Sequence, residues 1–175
     1  VVVTAGCAAA AYGGSIELTS GLSGASSSGL ISLRTAHAGA LGESGGVFVA
    51  TGNSTAGRAG AFEVRTGSGG QGSGGGVTLA VGTCDSGTGG DVSVVAGRSR
   101  DEASVGGQVS VAAGQGSSAA TGDGGDGGDV VVVAGGSLGG SNATDFGGDV
   151  RVGGGAASSG IGGGVELLSG FSSST

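Results

Sequence analysis

The chain has 175 residues, 48 of them Gly, with no Pro, Met or Trp, six Arg, no Lys and a net charge of −7. With so little basic charge there is no patch to hold phosphates, so nucleic acid is excluded as a partner. Collagen is excluded because Gly does not recur every third residue and Pro is absent, and the longest aliphatic run, Val130 to Ala134, is far too short to span a membrane as a helix.

From the first residue onward one phrase recurs: small residue, Gly, any, aliphatic, any, aliphatic, any, small, Gly. Its first aliphatic falls in turn at Val1, Ile16, Ile31, Val47, Phe62, Val77, Val92, Val109, Val130, Val150 and Val165. The spacings are 15, 15, 16, 15, 15, 15, 17, 21, 20 and 15. Self-similarity at such a period is the signature of stacked repeats, in which no unit buries its own apolar face.

Each copy predicts a strand of about five residues, because its apolar positions alternate with period two and are rich in β-branched residues. Two residues after the anchor the column is aliphatic throughout, from Val3, Leu18 and Leu33 to Val152 and Leu167. Between them lies a mixed column, including Val2, Glu17, Ser32, Phe48, Glu63, Val131, Arg151 and Glu166, as an outward position tolerates. Four after the anchor comes a small-residue column: Ala5, Ser20, Thr35, Thr51, Thr66, Val81, Ala96, Ala113, Ala134, Gly154 and Ser169. Gly stands five after the anchor everywhere except Ala36, and two before it from Gly14 to Gly163. These glycines bracket each strand and mark close-packed corners.

The expected fold is therefore all-β: a thin parallel β-solenoid of about eleven coils with a roughly 15-residue period. Coils stacked about 4.8 Å apart would make a rod roughly 50 Å long. An antiparallel β meander is the alternative, because connections of roughly ten residues do not dictate strand direction. Residues 1–175 read as a single repeat domain, and without capping repeats they are expected to be a slice or a processed subunit of a longer repetitive chain. The two wide spacings hold Ala119 to Asp126 and Ser137 to Phe146, insertions expected to loop out from one face.

The chain has two asparagines, and both begin glycosylation sequons: Asn53-Ser54-Thr55 and Asn142-Ala143-Thr144. Both lie in connections, so N-linked glycans and an extracellular or cell-surface location are expected. Cys7 and Cys84 lie five coils apart, about 24 Å along such a solenoid, too far for one bridge. They are expected as free thiols or as interchain disulfides.

Gly124-Gly125-Asp126-Gly127-Gly128-Asp129 matches the calcium pattern of parallel β-rolls and makes Asp126 and Asp129 candidate ligands. It occurs once, whereas such sites draw ligands from adjacent turns. The competing reading makes Asp91, Asp129 and Asp149 corner residues that bond local amides, and no cofactor is assigned. An ice-binding face would need an outward rank of Thr, but Thr35, Thr51 and Thr66 fall in the small column. A polysaccharide platform would need aromatic residues, and the chain has one Tyr and four Phe. One histidine, His37, and no metal-ligand or nucleophile constellation argue against an enzyme.

The phrase Gly-Gly-x-Val-x-Val-x-Ala-Gly, as in Gly89 to Gly97, Gly106 to Gly114 and Gly127 to Gly135, resembles the tandem repeats of large Gly- and Ser-rich surface proteins of algae and related protists. The resemblance implies an extracellular structural role in hairs, sheath or wall fibres and adds no site residues. The expected function is a structural subunit of an extracellular glycoprotein filament or surface fibre that associates with itself. The alternative is an adhesive or calcium-dependent ligand-binding domain of a large surface protein.

Overall fold

A computed structural model describes residues 1–9, 12–118, 120, 124–141 and 143–170. Among these there is no helix and no strand, and no residue is buried. The β-solenoid expected from the period is therefore overturned, and so is the antiparallel meander. Both need each five-residue segment to bond its backbone to a neighbouring segment. Among the described residues, no backbone–backbone hydrogen bond involves any position from an anchor to its fourth successor. The physical reason is that a repeat makes units alike, whereas pairing needs backbone partners distant in sequence, and the described residues supply none to these segments.

The chain divides into two units, Val1–Ala80 and Val81–Thr175. Within each, a recurring closure shapes the connections. The glycine two before an anchor donates its N–H to the carbonyl of the glycine five after the preceding anchor. In the first unit these bonds are Gly14 to Gly6 at 2.8 Å and Gly29 to Gly21 at 2.9 Å. In the second they are Gly107 to Gly97, Gly128 to Gly114, Gly148 to Gly135 and Gly163 to Gly155, all 2.8–2.9 Å. The closure spans 8 residues at Gly14, Gly29 and Gly163, but 10, 14 and 13 at Gly107, Gly128 and Gly148. One neck thus ties off connections of different lengths, so the insertions sit inside closed loops.

The small column and the neck glycine explain each other. A Cβ added at Gly14 would come within 2.9 Å of the Gly6 nitrogen and 3.3 Å of Ala5 Cβ. At Gly29 it would meet the Gly21 nitrogen and Ser20 Cβ, both at 3.3 Å, and at Gly107 the Gly97 nitrogen at 3.1 Å and Ala96 Cβ at 3.4 Å. Backbone approaches backbone there with no room for a side chain on one side and little on the other. Ala5, Ser20, Ala96 and Ala134, all at closed necks, are half-buried, whereas the aliphatic columns stand exposed.

Four necks lack the bond, and they share one feature. The small-column residue is Ala, Ser or Gly in every bonded neck (Ala5, Ser20, Ala96, Ala113, Ala134, Gly154). It is Thr35, Thr51, Thr66 or Val81 in the others. These β-branched side chains lie against the opposite glycine: a Cβ at Gly75 would be 3.3 Å from Thr66 Cβ, and one at Gly90 only 2.8 Å from Val81 Cγ1. Branching at Cβ places a second heavy atom where the closing glycine must sit, so the neck stays open. Thr35, Thr51 and Thr66 were expected to face inward in a thin core; they are exposed wedges instead.

Candidate assembly surface

Along the segments between necks, side chains two apart share a side. Glu63 pairs with Arg65, Thr19 Oγ1 donates to Glu17 Oε1 at 3.3 Å, and Arg151 bonds Asp149 Oδ2 at 2.7 Å. Period-two spacing thus brings side chains together at these three places, but the strands with one buried face that it predicts are not formed among the described residues. One side carries the anchor and the aliphatic two residues on; the other carries the first and third residues after the anchor.

The aliphatic side is uncovered in both units. Ile16, Leu18, Ile31 and Leu33 are exposed in the first, and Val109, Val111, Val130 and Val132 in the second. The opposite side differs. In the first unit it holds Glu17, Thr19, Ser32, Arg34, Glu63, Arg65 and Thr78, with Val2 and Phe48 as its large apolar members. In the second it holds Val95, Ala112, Val131, Val133 and Leu168, with Ser93, Ser110, Arg151 and Glu166 as its polar members, and Asp149, which bonds Arg151, lies on the same side with Asp91 and Asp129 at the same offset. The segment from Val130 to Val133 is apolar on both sides, with exposures of 53, 76, 71 and 80% in order.

The total accessible surface is 17116 Å². A compact monomer of this mass would expose about 7,200 Å² and a fully extended chain about 22,600 Å². The surplus over a compact monomer is several times the roughly 1,600 Å² of a standard protein interface.

The connections carry the residues singled out by motif. Cys7 and Cys84 are both free and exposed. Cys84 Sγ donates to the Ser86 carbonyl at 2.9 Å, seven residues after its anchor. That position is a turn-capping column the sequence reading missed. Ser23 Oγ accepts from Ser26 N at 3.0 Å, Ser54 Oγ from Gly57 N at 2.9 Å, Ser99 Oγ from Asp101 N at 3.3 Å and Ser137 Oγ from Gly139 N at 3.4 Å. A hydroxyl at fixed register, offering a lone pair to a nearby amide, was the available signal, hidden by the abundance of Ser.

Asn53 is exposed immediately before the capping Ser54. Asn142 lies outside the described residues. Around it, Ser141 N donates to Asp145 Oδ2 at 2.7 Å and Asp145 N to the Ser141 carbonyl at 3.1 Å. Thr144 Oγ1 donates to Ser141 Oγ at 2.9 Å, so the third sequon residue is held in a local turn. The loop from Ser99 to Ser104 is built similarly: Ser104 Oγ donates to Asp101 Oδ2 at 3.0 Å, and Ala103 takes a left-handed φ of 60°.

Asp126 and Asp129 are exposed, and among the described residues no group of three or more His, Cys, Asp or Glu is placed to hold a metal ion. His37 lines a shallow, open hollow of about 600 Å³ with Arg34, Thr35 and Ala36. These are four consecutive residues, so the hollow is a local bend and not a convergence of distant groups. Among the described residues no helix is long and apolar enough to cross a membrane. Comparison of the chain with family models, curated proteins and solved structures finds no match.

Proposed function

We propose that this chain is a structural subunit of an extracellular glycoprotein fibre, and that association with further copies of itself is its working interaction. One observation carries the reading: two aliphatic columns kept in register through eleven copies are all at least half exposed. Ordering a residue costs about 1–2 kcal/mol of backbone entropy, while burying a Val or Leu side chain contributes about 1.5–3 kcal/mol. With no core the chain cannot offset the first term alone, and burial between copies supplies the second. Stability then depends on subunit concentration, as for obligate oligomers.

The location rests on the two sequons, and glycans at Asn53 and Asn142 would keep the connections solvated while the segments meet. Cys7 and Cys84, exposed and free, are available for disulfides between chains in an oxidising compartment.

The test is electron microscopy and sedimentation velocity of natively purified protein, with and without enzymatic removal of N-glycans. Regular fibres that form above a threshold concentration, together with a mass shift on glycan removal, are the expected result. A chain that stays monomeric at all concentrations, or that becomes ordered on adding calcium alone, would overturn the reading.

A further inference from the structure

We propose that the peptide bond between Asp126 and Gly127 is a site of spontaneous backbone rearrangement to isoaspartate, and that the rearrangement opens the neck closed by Gly128. Self-association plays no part in it. Of the eight aspartates, Asp123 and Asp126 precede glycine, and the others precede Ser, Val, Glu or Phe. Asp123 lies outside the described residues. A following glycine has no Cβ to hinder its nitrogen from reaching the carboxyl group. Among the described residues the aspartate carboxylates held by a hydrogen bond are Asp101, by Ser104 Oγ at 3.0 Å, Asp145, by Ser141 N at 2.7 Å, and Asp149, by Arg151 at 2.7 Å. Asp126 is exposed and is not one of them. The Gly127 N–H makes no backbone bond among the described residues, and a Cβ there would meet nothing nearer than the Gly114 carbonyl oxygen at 4.0 Å. Electrophile and nucleophile are neighbours, and neither is engaged elsewhere.

In the rearrangement the Gly127 nitrogen bonds to Cγ of the Asp126 carboxylic acid. The nitrogen gives up its proton and the acid its hydroxyl, which leave as water, and a succinimide ring forms. Water then adds at the former main-chain carbonyl carbon and breaks its bond to nitrogen, giving its hydroxyl to the carbon and its proton to the nitrogen. No atom is gained or lost and nothing is oxidised. The chain now runs through Cγ, one methylene longer, and the former main-chain carbonyl has become a carboxylate. Its surroundings have no room for that group. A Cβ on Gly116 would collide with the carbonyl groups of Gly125 and Asp126, and one on Gly125 would lie 3.1 Å from Gly116 Cα, so backbone lies directly on backbone. Two residues beyond Asp126, the Gly128 N–H donates to the Gly114 carbonyl at 2.9 Å. An added oxygen against Gly116 and an added methylene ahead of Gly128 together move that donor off its acceptor. The loop that holds the insertion is then untied, in a time set by the chemistry of one dipeptide.

The test ages the full chain at neutral pH and body temperature and maps it by tandem mass spectrometry, using the fragment ions diagnostic of isoaspartate. Isoaspartate should accumulate at position 126, whereas Asp91, Asp129 and Asp149, each followed by Val, should stay intact. Heteronuclear NMR of the aged chain should show the Gly128 amide exchanging at least ~2-fold faster, as loss of one net hydrogen bond requires, with Gly107 and Gly148 unchanged. Asp126→Glu, whose longer side chain closes a ring far less readily, should keep slow exchange at Gly128 through the same treatment, and Gly127→Val should slow the rearrangement severalfold. Because Asp123 also precedes glycine, the series is repeated with Asp123→Glu, which leaves Asp126 as the one Asp-Gly pair. In that chain, an Asp126 that stays intact, or that rearranges only once denaturant is added, overturns the assignment of the site. Isoaspartate at position 126 with exchange at Gly128 unchanged overturns the opening of the neck.

Discussion

The two units are written in one repeat, yet they differ in two ways. The first unit has two closed necks, at Gly14 and Gly29, then three held open by Thr35, Thr51 and Thr66; the second has one open neck, at Val81, and four closed ones. On the side opposite the aliphatic columns the first unit carries Val2 and Phe48 among Glu17, Arg34, Glu63 and Arg65, and the second carries Val95, Val131, Val133 and Leu168 among Asp149, Arg151 and Glu166. Open necks thus go with a branched Cβ and closed ones with Ala, Ser or Gly, and a few outward residues decide how many faces a segment offers. Closed necks accompany the longest connections, so the second unit carries its insertions on loops tied at the base.

The largest expected effect separates the faces. Serine at Ile16, Leu18, Ile31 and Leu33 removes the sole apolar side of those segments and should raise the half-association concentration by at least ~100-fold, since each buried aliphatic contributes about 1.5–3 kcal/mol. The same change at Val109, Val111, Val130 and Val132 leaves Val131 and Val133 in place on one of those segments and should cost less, though still at least ~10-fold. Equal losses in sedimentation would erase the distinction between one-sided and two-sided segments.

Neck substitutions come next. Ala96→Thr should open the second unit's neck, and Thr66→Ala should let Gly75 close onto Gly67. A net hydrogen bond of about 0.5–1.5 kcal/mol corresponds to roughly 2- to 12-fold in amide exchange, faster at Gly107 in the first variant and slower at Gly75 in the second. If neither rate moves, the small column does not govern closure.

Glycine substitution at closed necks sharpens the same contrast. Gly14→Ala would place its Cβ 2.9 Å from the Gly6 nitrogen, whereas at Gly148 the nearest atoms of Gly135 are 3.5 Å away. Exchange at position 14 should accelerate severalfold and at position 148 by less than twofold, a difference that heteronuclear NMR would read directly.

The smallest effect is expected at the ion pairs. Arg65 with Glu63 and Arg151 with Asp149 have side-chain exposures of 62–86%, where pairs contribute little and are screened by salt. Alanine at Arg65 or Arg151 should leave concentration-dependent association unchanged within error in 150 mM salt. A clear loss at Arg151 alone would mean that this residue meets a second copy.

Much of the local organisation was legible. The anchors, the alternation and the bracketing glycines follow from residue types at fixed offsets. The Glu63 to Arg65 and Glu17 to Thr19 contacts bear out the alternation. The small column was legible as a constraint but not in its meaning: Ala5 and Ala96 are small because a glycine of the next copy closes over them, not because they line a core. The capping serines at Ser23, Ser54, Ser99 and Ser137 were lost among many others. The solenoid went beyond what period can support. A period says that units are alike, whereas stacking requires backbone partners from residues far apart in sequence.

By itself the sequence determined the unit: its length, its two sides, where it bends and which positions admit no side chain. These depend on chirality, side-chain volume and hydrogen bonding within a few residues. The tertiary structure alone decided that the connections close on themselves at Gly–Gly necks, that Thr and Val hold some of them open, and that the aliphatic columns are left uncovered. Whether an apolar residue is buried depends on what the rest of the chain brings against it, and in this chain the connections return each segment to solvent.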